Sequence, residues 1–236
     1  MTKDLRMGDG LMEYKKRYDR NRIFSREQQK ELSQKKVAVI GCGGLGGYAI
    51  EMLARAGVGH IKVCDGDVFE ETNLNRQLLC TEALLGRNKA EAAGERIRDI
   101  NSAVETEIFC CNLTETKAEE ILRDCDVVID ALDSAEAKLL LEKMCSIFEV
   151  PMVHGAIEGW FGQVTTVFPG NDTLRLIYGD GGNVSQKLGN PSFSPAMVAS
   201  VQVSEAIKIM LGMDELLIRK MLFIDLLGND FQIAEV

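Results

Sequence analysis

The sequence predicts an α/β fold: a doubly wound, mostly parallel sheet with helices on both faces, ending in mixed or antiparallel strands. Three observations predict it. "KVAVI" and "DVVIDAL" are apolar without alternation, as strands buried on both faces must be. Such runs alternate with helical-period segments through the first 150 residues, the pattern of a sheet wound by crossover helices. A glycine-rich turn, "GCGGLG", joins the first strand to the first helix.

The elements follow in order. Residues 1–36 hold 11 of the 27 Lys+Arg and 6 of the 36 Asp+Glu, a charge of +5, and read as helical turns lying on a surface. After the strand "KVAVI", the segment "LGGYAIEMLARAG" spaces Leu45, Ile50, Leu53 and Ala54 as one helix face and stops at Gly57. "HIKVCD" is the second strand, "RNKAEAAGERIRDIN" an amphipathic helix and "VETEIFC" an alternating strand. Thr116 and Glu119 suggest a capping box for the next helix, which leads into the buried strand "DVVIDAL" and the helix "AEAKLLLEKMCSIFE". Two strands follow, with a turn near Glu158 and Gly159. Residues 170–190 read as a loop rich in Gly, Asn, Asp and Ser. Ser194 then caps a helix with Pro195 in its first position and Gly212 at its end, and a strand pair closes the chain.

Composition narrows the function. With 46% hydrophobic residues, the 236-residue chain can bury a full core. No apolar run nears the roughly 20 residues that span a bilayer, and no signal peptide is visible, so no membrane partner and a cytoplasmic location are expected. Outside the basic arm remain 16 basic and 30 acidic residues, a charge of −14, which disfavours a nucleic acid partner. The seven cysteines read as reduced and mostly buried, and without a single C-x-x-C a structural zinc is not expected.

Chemistry concentrates at the strand ends. Gly41, Gly43 and Gly46 form G-x-G-x-x-G, and with Gly44 they let an anion approach the backbone amides at a helix N-terminus. Asp65, 19 residues after Gly46, is placed to meet a ribose hydroxyl. The motif alone does not separate a redox dinucleotide from ATP. Tyr48 stands where a P-loop would carry lysine, so cations for a triphosphate must come from Arg76, Arg87 or Lys89. Asp130 and Asp133 end a buried strand on the ligand-binding edge; there a carboxylate serves either as a Mg²⁺ ligand or as a helix cap. His60 and His154 read as structural, and Trp160 equally as an interaction surface or as packing.

These segments together resemble the ThiF/MoeB/HesA group of the ubiquitin-activating superfamily. The carriers are "RYDRN", "GCGGLG", "AGVGHIKVCDGDVFEETNLNRQ", "GRNKAE", "DALDS", "EGWFGQVTTVFPG" and "SPAMVAS". The resemblance implies a Rossmann-like adenylation domain over residues 35–236, preceded by a helical arm over 1–34 and containing a crossover loop at about 170–192. It implies an ATP- and Mg²⁺-dependent adenylyltransferase that activates the C-terminal Gly-Gly carboxylate of a small ubiquitin-like sulfur carrier for thiamin, molybdopterin or a related cofactor, with release of pyrophosphate. Gly41, Gly43, Gly44 and Gly46 would then form the nucleotide loop, with Asp65, Asp67, Asn73 and Gln77 around the nucleotide. Arg76 and Lys89 would hold the phosphates and Asp133 the Mg²⁺, while Arg20 would reach across a homodimer to the partner's ATP. Many relatives hold zinc through two C-x-x-C pairs; with no cysteine after Cys145 this chain lacks them, and it lacks the crossover-loop cysteine that some use covalently. The competing readings are an adenylating tRNA dehydratase of the same superfamily, an NAD-dependent oxidoreductase and a nonenzymatic nucleotide-binding scaffold.

Overall fold

Eight strands form one sheet in the order β3-β2-β1-β4-β5-β6-β7-β8 in the computed structural model, which describes residues 16–179 and 188–236. The strands are β1 (Lys36–Ile40), β2 (His60–Cys64), β3 (Glu105–Phe109), β4 (Val127–Asp130), β5 (Met152–Glu158), β6 (Phe161–Val167), β7 (Lys220–Asp225) and β8 (Asp230–Glu235). The first five are parallel and the last three antiparallel. The helices are α1 (Arg26–Leu32), α2 (Gly44–Ala56), α3 (Lys89–Ile100), α4 (Glu115–Leu122), α5 (Ala135–Ile147), α6 (Thr173–Tyr178) and α7 (Phe193–Met210).

The unalternating apolar runs are explained by two cores. Val37 and Val39 of β1 join Ile61, Ile129 and Val153 in a core shared with α2, α3 and α7. Ala38 and Ile40 face the opposite way, into a core with Ile121 of α4 and Leu141 of α5. Each fully buried Val, Ile or Leu stabilises the fold by about 1.5–3 kcal/mol relative to exposure. No helix among the described residues is long and apolar enough to cross a membrane.

The basic arm packs where the strands begin. Leu32 is buried in the first core, and Asn101 donates to the Tyr18 hydroxyl at 2.8 Å. Gly57, which ends α2 at φ +83°, leaves room for the Tyr18 ring: a Cβ there would lie 2.5 Å from it.

Three local expectations are corrected. Thr114, not Thr116, caps α4, because its hydroxyl accepts from the Lys117 amide. The cap of α7 is Ser192; Ser194 and Pro195 lie inside the first turn, and the buried Ser194 hydroxyl donates to the Gly159 carbonyl. The expected loop at 170–190 contains α6, whose first turn is held by Glu142 accepting from the amides of Leu174 and Arg175. Residues 180–187 of the expected crossover loop, and residues 1–15 of the arm, lie outside the described residues.

Candidate active site

A cavity of about 550 Å³ opens at the ends of β1, β2 and β4. Its back wall is the glycine loop. Gly41 has φ +96°, and a Cβ on it would lie 2.6 Å from the Ala131 carbonyl oxygen. A Cβ on Gly46 would lie 1.8 Å from the Gly41 oxygen, so Gly46 acts by letting α2 press against the loop and does not line the cavity. Gly43 caps α2 without any side chain over its first amides, and Gly43 and Gly44 line the cavity. Amides at an uncovered helix N-terminus suit a phosphate.

Asp65 stands beside this loop. Its carboxylate accepts from the Cys42 amide at 2.7 Å and from the Asp67 amide at 2.8 Å. Burial pushes its carboxyl up from the usual range, against the pull of those two donors. Asn88 caps α3 and donates to the carbonyls of Asp65 and Asp67, which fastens the turn after β2 to α3. That brings Lys89, the buried first residue of α3, to 3.1 Å from the exposed Asp67 carboxylate.

Arg76 lines the cavity with its guanidinium donating to the Thr72 carbonyl and the Asn75 amide oxygen. Gln77 is buried next to Gly43, and its Oε1 has no partner among the described residues. Two residues fall away from the group. The Asn73 side chain accepts from the Glu70 amide and stabilises the turn without lining the cavity. Arg87, one of the three cations considered for phosphate, forms a double hydrogen bond with Glu95, both at 2.9 Å, and does not line the cavity.

Asp130 and Asp133 take separate roles. Asp133 is exposed at the cavity rim and has no hydrogen bond or ion pair among the described residues. Asp130 is fully buried: Lys138 reaches its two oxygens at 3.0 and 3.2 Å, and His154 Nδ1 lies 2.7 Å away. With both oxygens engaged, Asp130 is neither a Mg²⁺ ligand nor a cap; Ser134 caps α5. The Lys138 ammonium and the His154 hydrogen bond hold the Asp130 carboxyl below its usual range against the cost of burial. Burial, with Lys138 beside it, pushes His154 down, so its ring stays neutral. The Tyr178 hydroxyl, 3.1 Å from His154 Nε2, completes the chain of partners.

Lys138 and Asn112, which also line the cavity, escape the sequence reading. For Lys138 a signal exists: it lies next to "LLL" on a helix whose buried positions include Leu141 and Cys145, where an unpaired lysine would be costly. Arg20 is exposed and does not line this chain's cavity. Its neighbours Arg17 and Tyr18 bond to Asn101 at the C-terminal ends of α2 and α3, at the opposite end of the strands from the glycine loop. Trp160, 44% exposed, packs on Phe193 with ring centroids 4.5 Å apart.

Residues 16–236 match the ThiF family. The SAMP-activating enzyme E1 of Haloferax volcanii is 34% identical over 224 residues, which cover 92% of this chain and 83% of that protein. The sulfur carrier protein ThiS adenylyltransferase of Bacillus subtilis is 35% identical over 83% of this chain and 61% of its own length. The adenylyltransferase and sulfurtransferase MOCS3-1 of Zea mays is 31% identical over 93% of this chain, which spans 49% of that protein. Among solved structures, E. coli MccB with ATP shares the fold at a TM-score of 0.79 and 21% identity, covering 94% of this chain and 72% of that one. E. coli tRNA N6-threonylcarbamoyladenosine dehydratase, TcdA, in complex with ATP, gives a TM-score of 0.69 at 26% identity, covering 81% of this chain and 92% of that one.

Proposed function

We propose, from the premise that this chain belongs to the ThiF family, that it is an ATP-dependent adenylyltransferase acting on the C-terminal carboxylate of a ubiquitin-like sulfur carrier. The observation that carries the reading is the meeting of Arg76, Lys89 and Asp133 in one cavity with the uncovered amides of Gly43 and Gly44. Relatives named for the activation of SAMP and ThiS support the carrier as substrate.

The reaction is attack by the carrier's carboxylate oxygen on the α-phosphorus of ATP, with pyrophosphate leaving and an acyl adenylate formed. The nucleophile is already ionised, so no general base is required; positioning and charge stabilisation carry the rate. The glycine loop amides and Lys89 bind phosphate oxygens, Arg76 neutralises charge that builds on the departing pyrophosphate, and Asp65 accepts from the ribose hydroxyls. Asp133, an unengaged carboxylate at the rim, fits Mg²⁺, which prefers oxygen ligands and phosphate partners; bound there, the ion would offset phosphate charge. Asp130 serves as a buried strut beneath Asp133. Arg20 acts on the ATP of a second copy in a homodimer, a reading supported by its absence from its own cavity and by its neighbour Tyr18 sitting at the opposite end of the strands.

The test is ATP–pyrophosphate exchange with Mg-ATP. Exchange should require a carrier ending in Gly-Gly and vanish when its last glycine is removed. Exchange without any carrier, or exchange stimulated by tRNA in its place, would overturn the reading; the −14 charge outside the arm supports the protein substrate.

A further inference from the structure

β2 and β3 run parallel and deliver two thiols to the same corner of the cavity. Cys64 is the last residue of β2, and Cys111 follows the end of β3 by two positions. The Cys64 thiol donates to the Cys111 carbonyl oxygen at 3.1 Å. Burial, with the Cys111 side chain nearby, pushes the Cys64 thiol up from its usual range. Both residues line the cavity, Cys64 from a buried position and Cys111 from a half-buried one. Cys110, though exposed, does not line it.

We propose that Cys64 and Cys111 are a redox-sensitive thiol pair, closed into a disulfide by a hydroperoxide, and that closure blocks the adenosine end of the cavity. The chemistry balances with the peroxide as two-electron oxidant. The Cys111 sulfur, reached through the cavity, attacks a peroxide oxygen; the O–O bond breaks, giving a sulfenic acid and releasing water or an alcohol. The Cys64 sulfur then displaces the sulfenic oxygen, which leaves as water with the Cys64 proton, and the S–S bond forms. Cys111, the half-buried sulfur, meets the oxidant, and the buried Cys64 is the resolving partner.

Closure changes the site because a disulfide holds two sulfurs at about 2.05 Å, closer than two thiols approach without bonding. Each thiol is one residue from a wall of the site. Asp65 follows Cys64, and Asn112 follows Cys111; the Asn112 side chain already crowds Gly66, where a Cβ would lie 2.5 Å from its Oδ1. Contraction therefore moves Asp65 out of register with the glycine loop, to which its carboxylate is tied through the Cys42 amide. The consequence for nucleotide rests on the ATP reading above; the bond itself does not.

The test treats the whole protein with hydrogen peroxide, with and without Mg-ATP, followed by peptide mass spectrometry with fragmentation that separates Cys110 from Cys111. The expected product lacks two hydrogens and joins Cys64 to Cys111; ATP slows its formation, and dithiothreitol reverses it. Calorimetric ATP affinity should fall by about tenfold or more in the oxidised protein. Cys111→Ser should keep its own untreated affinity through peroxide, whereas Cys110→Ser should respond as the native protein does. A Cys110–Cys111 or Cys64–Cys110 bond, oxidation of Cys111 without a bond to Cys64, or a Cys64–Cys111 bond with unchanged ATP affinity would each overturn the proposal. If the cross-link forms and neither state binds ATP, the nucleotide reading fails instead.

Discussion

Replacing Asp130 with Asn tests the buried strut. The change keeps size and one oxygen, so it opens no cavity, but it leaves the Lys138 ammonium buried beside a neutral amide and the Gly155 carbonyl. At 3.0 Å and an effective dielectric of about 20, the lost attraction is about 5.5 kcal/mol. Measured losses on breaking buried pairs run to about 3–5 kcal/mol. For a chain of this size a loss of about 3–5 kcal/mol lowers the midpoint of thermal unfolding by about 6–20 °C. Urea unfolding of D130N and the native protein at pH 7 reads the loss. A loss below about 1 kcal/mol would refute the buried-pair reasoning and return Asp130 to the list of metal ligands.

Two further predictions follow from the same geometry. The buried neutral His154 has its folded pKa lowered by burial and Lys138, so its contribution is fully present above the unfolded value of about 6.5 and is lost as pH falls below it, at up to about 1.4 kcal/mol per pH unit; H154Q should flatten the native protein's loss of urea stability between pH 6.5 and pH 5, and an unaltered slope would show that the ring is not held neutral. If Arg20 acts across a two-fold dimer, R20A and K89A are each inactive in carrier-dependent exchange, yet subunits mixed after dissociation regain about a quarter of native activity, because half the dimers carry one intact site; no recovery would place the arginine elsewhere.

The sheet was legible in the sequence because its strands are buried on both faces: "KVAVI" and "DVVIDAL" have no other stable use. The grouping of Gly41, Gly43 and Asp65 was also legible, since they follow the ends of β1 and β2 closely, while Arg76 and Lys89 are brought to the same edge by the long turn between β2 and α3. What residue type and spacing alone left open was the choice among chemically similar neighbours, which the family resemblance supplied. Arg87 and Lys89 are two residues apart, and only the start of α3 decides which points inward. Asp130 and Asp133 differ by three positions, yet one is consumed by Lys138 and His154, partners 8 and 24 residues away that no local pattern announces. Caps slipped by two residues at α4 and α7 because several Ser and Thr compete at each start and packing selects one.

The Gly41–Gly46 contact has a consequence for how such chains decay. Any side chain at Gly41 or Gly46 would collide with backbone whether or not a nucleotide is present, so selection for folding alone preserves those two glycines. Asp133, exposed and unengaged, contributes nothing comparable to folding. If Asp133 serves turnover as proposed, a copy of this gene that had lost its activity would keep Gly41 and Gly46 long after its rim carboxylate had gone, and sorting living copies from silent ones should begin at Asp133.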